Sequence, residues 1–199
     1  MAYNKNYLFT HNIDWYACIN GTWIYAASRG GLLPCKVDNK YMLPTLQGIC
    51  ANLPDIVNKE DIVINQELID LRYKRAVDFY KQRFSDNLNN RIDIQEFFNE
   101  YNIEEFSEQF SELFVEKARK GFYSFIRINI DDPFSNEYRL VASPKGDTPA
   151  HLSEIICNPF NEAFVNNEYK DYIKGITFRV KNEVISFKSN LDMLFQNIF

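Results

Sequence analysis

Histidine is scarce in this chain and cysteine is scattered, and each scarcity removes a class of chemistry. Only His11 and His151 occur among 199 residues, so schemes built on several imidazoles have almost no material. The four cysteines, Cys18, Cys35, Cys50 and Cys157, form no C-x-x-C pair and have no histidine at a zinc-ligand spacing. They read as reduced thiols of a cytoplasmic protein rather than as a disulfide framework. No apolar run is long enough for a membrane span, which takes about 18 residues or more. The opening MAYNKNYLFTHNIDW has no apolar segment or cleavage site of a secretory signal. Like charges never cluster into long runs, and the net charge is -5, from 22 Lys+Arg against 27 Asp+Glu. That balance argues against general nucleic-acid binding, which needs a basic face to release counterions, although a local basic patch is still open. Nucleophile-elbow, zincin, P-loop and dinucleotide-binding signatures are all missing, as are internal repeats and low-complexity linkers.

What is present is apolar and aromatic. Hydrophobic residues make up 46% of the chain and aromatics 16%, enough to offset the ordering entropy that keeps polar chains unfolded. Residues 1–199 fit a single domain, the usual size being roughly 100–200 residues. The abundance of Asn, Ile, Lys, Phe and Tyr is the bias of an AT-rich genome, such as those of many bacteria and their phages, so the expected location is the cytoplasm or a virion.

The densest local signal is IDWYACINGTWIYAASRGGLLP. Asn20-Gly21 is the preferred pair for a type I′ turn, and β-favouring residues flank it. Pairing about that turn sets Ile19 opposite Thr22, Cys18 opposite Trp23, Tyr16 opposite Tyr25 and Trp15 opposite Ala26. One face then carries Trp15, Ala17, Ile19, Ile24 and Ala26, and the other Tyr16, Cys18, Trp23, Tyr25 and Ala27. Both faces are apolar, which predicts cover on each, by helices on one side and by another layer or a subunit on the other.

Helical spacing follows. Leu46, Ile49, Cys50 and Leu53 lie between Pro44, suited to a first turn, and Pro54, which stops it. A longer stripe runs from about residue 66 to 84, with Asn65 as N-cap and Ile64 and Ile69 as a staple. Asp93-x-x-Glu96 and Asn102-x-x-Glu105 mark two further starts, and Gly121 ends the second helix. From Phe122 the period becomes two, and the loop DDPFSN leads into EYRLVAS, a second hairpin. Thr148-Pro149 opens a short helix with Leu152, Ile155 and Ile156. Residues 158–174 fit no single pattern. ITFRVKNEVISF reads as a third hairpin about Lys181-Asn182, and Leu191 to Phe199 as a closing helix. Three hairpins separated by helices predict an α+β fold: a mainly antiparallel sheet of about six strands with helices packed on it.

Four groups of residues invite chemistry. His11 with Asp14 is a possible general-base pair. Asp131 and Asp132, with Glu137 in the next strand, suit a divalent cation, the one cofactor considered, although Asp-Asp-Pro is also ordinary turn chemistry. Glu168-Tyr169-Lys170 matches a fragment of metal-dependent nuclease sites. Ser28, Arg29, Gly30 and Gly31 suit an anion-binding nest with an arginine clamp, the bland alternative being glycines that supply positive φ as a strand leaves the sheet. No dedicated metal site is expected. Trp15, Tyr16, Trp23 and Tyr25 are the candidate interface, given the doubly apolar hairpin.

The expectation that follows is a non-enzymatic interaction or structural protein, a subunit of a larger assembly in a bacterial cytoplasmic complex or phage particle, with a protein partner or self-association. One alternative is a metal-dependent hydrolase or nuclease acting on a phosphate-bearing substrate. Another is a small-ligand sensor with its pocket between the first hairpin and the helices.

Overall fold

A computed structural model describes residues 1–85, 102–135, 137–146, 150–157 and 166–179. The strands are β1 (Asp14–Ile19), β2 (Thr22–Ala27), β3 (Ile62–Ile64), β4 (Tyr123–Arg127), β5 (Tyr138–Pro144) and β6 (Thr177–Phe178). The helices are α1 (Lys5–Thr10), α2 (Met42–Ala51), α3 (Gln66–Ser85), α4 (Ile103–Arg119), α5 (Ala150–Cys157) and α6 (Asn167–Gly175). All six strands form one open sheet in the order β3-β5-β4-β2-β1-β6.

The first hairpin forms in the predicted register, from Trp15 opposite Ala26 to Ile19 opposite Thr22. Asn20 and Gly21 both take positive φ, 50° and 86°, as a type I′ turn requires. The second hairpin also forms, with Arg127 opposite Tyr138 and Phe125 opposite Leu140.

The sheet as a whole is mixed, which corrects the expectation of a mainly antiparallel one. β2 pairs with β4 in parallel, and β1 pairs with β6 in parallel, while β1–β2, β4–β5 and β3–β5 are antiparallel. The physical reason lies in the helical middle of the chain. It works as a long crossover that returns β4 beside β2 in the same direction, a connection that a hairpin-by-hairpin reading cannot see. β6 likewise reaches the edge beside β1 by way of α5 and α6, and the return strand of the expected third hairpin lies outside the described residues. So do Asp93-x-x-Glu96, Thr148-Pro149 and the closing helix.

Local signals explain most helix boundaries. Asn102 accepts a hydrogen bond from the Glu105 amide at 2.8 Å, capping α4, and Gly121 with φ 93° lies just past its end. Asn166 does the same for α6, accepting from the Tyr169 amide at 2.8 Å. Along α6 the buried side chains Tyr169, Tyr172 and Ile173 share one face, a helical pattern within a stretch that is ambiguous on sequence alone. α4 lies against β4, β5, β3 and α3, and α2 lies against β1.

Both faces of the first hairpin are buried within this single chain. Trp15 meets Tyr138 edge-on at 5.5 Å, and its indole N–H points to the Tyr138 hydroxyl at 3.3 Å. On the other face Tyr25 packs against Phe114 of α4, Tyr16 against Phe122, and the Trp23 indole N–H donates to Ser153 of α5 at 2.9 Å. No second subunit is required to cover either face.

Candidate functional site

The exit from β2 is built around a guanidinium, and that guanidinium belongs to Arg127. At the end of β4 the Arg127 side chain is fully buried. Its Nε donates to the Ser28 carbonyl at 2.6 Å, its Nη1 to Asp132 at 2.8 Å, and its Nη2 to Arg29 at 2.7 Å and Gly30 at 3.0 Å. Arg29 and Gly30 both take positive φ, 48° and 74°, which turns successive carbonyls toward the guanidinium. Gly31 is required by close approach, since a Cβ there would lie 2.7 Å from Arg127 Cζ. Ser28 closes the loop back onto Ile13, the residue before β1, its Oγ accepting from the Ile13 amide at 2.9 Å. In this loop the carbonyls of Ser28, Arg29 and Gly30 cradle a cation that the protein itself supplies.

The Arg29 side chain leaves this loop toward a groove. The groove has a volume of about 1170 Å³ and runs between α3, α4 and the ends of β2 and β4. Arg29, Arg72 and Arg75 line it, together with Phe79, Phe106 and Phe110. Arg72 Nη2 donates to the carbonyls of Arg127 and Ile128, at 3.1 and 3.0 Å, while its Nε is buried without an acceptor. Burial, then the charges of Arg29 and Arg75, pulls Arg72 down to about 10, so it stays a cation at neutral pH. Burial lowers the Arg29 guanidinium as well. Neither Arg29 nor Arg75 has an ion pair or side-chain hydrogen bond among the described residues. The aromatic wall is continuous, with Phe106 and Phe110 stacked at 5.7 Å and Phe110 next to Phe114 at 5.8 Å.

The remaining candidates are dispersed. His11 is exposed and stacked on Tyr7 at 3.8 Å, with its Nδ1 beside the Tyr7 carbonyl and the Thr10 hydroxyl. Asp14 sits elsewhere, among Tyr25 and Lys117, where burial raises its carboxyl despite their opposing pull. The Asp132 carboxylate accepts from the Phe134 amide at 3.0 Å, as ordinary turn chemistry predicts, and Glu137 pairs with Arg139 at 3.2 Å. Asp131 and Glu137 do line the arginine groove. No group of three His, Cys, Asp or Glu side chains suited to a metal ion occurs among the described residues. Glu168 and Lys170 are exposed positions of α6, where residues two apart point to different sides, so the nuclease-like fragment does not converge.

Trp15, Tyr16, Trp23 and Tyr25 are at most 2% exposed, so these four aromatics are consumed by the chain's own core and present no surface to a partner. Sequence reasoning missed Arg72, Arg75 and Arg127. The first two lie at i and i+3 on one long helix, a spacing that does bring them together, but nothing local shows that α3 faces Arg29. No family model matches this sequence, and neither a curated protein nor a solved structure shows significant similarity to it.

Proposed function

We propose that this chain is a non-enzymatic recognition protein that holds an anionic partner in the groove between α3, α4 and the sheet. One observation carries the reading: Arg29 and Arg75, with no ion pair of their own among the described residues, line a groove that also holds Arg72 and its acceptorless Nε. Guanidinium groups gathered in a partly desolvated cleft repel one another, and a bound anion removes that cost while making charge-assisted hydrogen bonds. Phe79 and Leu113, 57% and 39% exposed, add apolar surface at the same place, where a partner can anchor. In this reading the interaction surface is the groove rather than the hairpin, whose four large aromatics are buried.

The test is thermal unfolding of the full chain with pyrophosphate or with an oligo-glutamate peptide, at low and at high salt. Wild type is expected to gain several degrees in a saturable, salt-sensitive way, and the double substitution Arg29→Ala, Arg75→Ala to lose that gain. Absence of any saturable shift with either anion would refute the proposal.

A second reading, hydrolysis of a phosphate ester at a divalent cation, is favoured by Asp131 and Glu137 lining the same groove as Arg29. It predicts manganese-dependent cleavage of a nitrophenyl phosphodiester that disappears in Asp131→Asn. Cleavage that survives the substitution, or none in wild type, removes this reading.

A further inference from the structure

Resting on that recognition reading, we propose that the ligand of the groove is a phosphate ester carried on a flat ring, a nucleotide in chemical class. The arginines hold its phosphate and the aromatic wall holds its ring. Arg72 is anchored at Nη2 by two backbone carbonyls and keeps a buried Nε in need of an acceptor. Arg29 and Arg75 bring two more planar forks to the same groove. A carboxylate has two oxygens to share among three guanidinium groups, whereas a terminal phosphate has three, together with a larger charge. Phosphate is thus the better match in number as well as in sign.

The aromatic content supplies the second half of the argument. A bare phosphate site needs no rings, yet Phe79, Tyr80, Phe106 and Phe110 all line this groove. Phe79, 57% exposed, and Leu113, 39% exposed, leave apolar surface within the groove that a ligand's ring can cover. A nucleobase covers a phenyl ring by stacking, and sequence-tolerant stacking on aromatics beside a cationic track is how single-stranded nucleotides are commonly held. Of the two carboxylates in the groove, Glu137 is paired with Arg139 at 3.2 Å, and Asp131 is exposed, where it can accept from sugar hydroxyls.

The experiment is titration calorimetry on the full chain without added metal, using pyrophosphate, ADP, adenosine and oligo-glutamate as probes. ADP is expected to bind about tenfold or more tighter than pyrophosphate, the increment that one stacked base supplies. Phe79→Ala is expected to bring ADP down to the pyrophosphate level and to leave pyrophosphate itself unchanged. Because Phe79 is largely exposed, that variant should keep the wild-type melting temperature, which separates lost stacking from lost folding. Equal affinities for ADP and pyrophosphate would overturn the ring assignment and leave the anion groove standing. Binding of oligo-glutamate alone would overturn the phosphate assignment. Binding of none of the four would overturn the groove reading as well.

Discussion

Asp14 begins β1, and its carboxyl is buried in the space beside Tyr25 and Lys117. Its Oδ1 and the Tyr25 hydroxyl are both buried, beside one another. Burial holds the carboxyl above its ordinary value, against the opposing pull of Tyr25 and Lys117. A native value above the unfolded one means the folded chain binds the proton more tightly. The charged carboxylate therefore costs stability at pH 7, and that cost fades as pH falls through the raised value to below the ordinary carboxylate range. Asp14→Asn is expected to raise the urea midpoint at pH 7, with a gain that shrinks toward pH 3; a gain of equal size at both pH values would show that charge is not the cause. None of this is legible in the residues around Asp14, since an acidic residue at the start of a strand ordinarily faces water.

At the scale of elements, the loop after β2 and the end of β4 depend on one another. Gly31 leaves room for Arg127, and Arg127 satisfies the carbonyls that Arg29 and Gly30 turn inward. Gly31→Ala should cost about 1–3 kcal/mol, the usual range for an inserted methyl that has to displace packed atoms. Arg127→Met should cost about 3 kcal/mol or more, because it strands several buried carbonyls at once. The two costs should be strongly non-additive, with Gly31→Ala nearly harmless once the guanidinium is gone. Urea denaturation of both single variants and the double variant measures this, and simple additivity would contradict the clamp. The two glycines are visible in the sequence as a bend. What they bend around is not, because Arg127 comes from a strand far along the chain and, read locally, is one more polar residue near a strand end. The cap of α4 was easier, since Asn102 announces it through its spacing to Glu105, whereas the Asn166 cap of α6 has no acidic partner three residues on and lies in a stretch without a clear pattern.

For the whole molecule, the cysteines report how far the core extends. No disulfide joins them; Cys18 and Cys50 are buried, Cys157 is partly so and Cys35 is exposed. Burial pushes Cys18 up to about 11 and raises Cys50 as well, so both lack thiolate as well as access. Alkylation at pH 8 followed by mass spectrometry should modify Cys35 first, and Cys18 and Cys50 only as the chain unfolds in urea. Rapid native labelling of Cys50 would contradict a core that spans α2 and β1. Among the described residues no helix is long and apolar enough to cross a membrane, in line with the absence of long apolar runs. The sequence by itself determined the α+β class, the first hairpin with its register, and the starts of α3 and α4, because turn geometry, capping and side-chain period act between residues only a few positions apart. The tertiary structure alone decided that β4 returns parallel to β2, that the tryptophans and tyrosines of the hairpin pack inside the chain, and that Arg29, Arg72 and Arg75 share a groove. Those outcomes depend on which surfaces bury one another across long stretches of chain, and local chemistry carries no record of that choice.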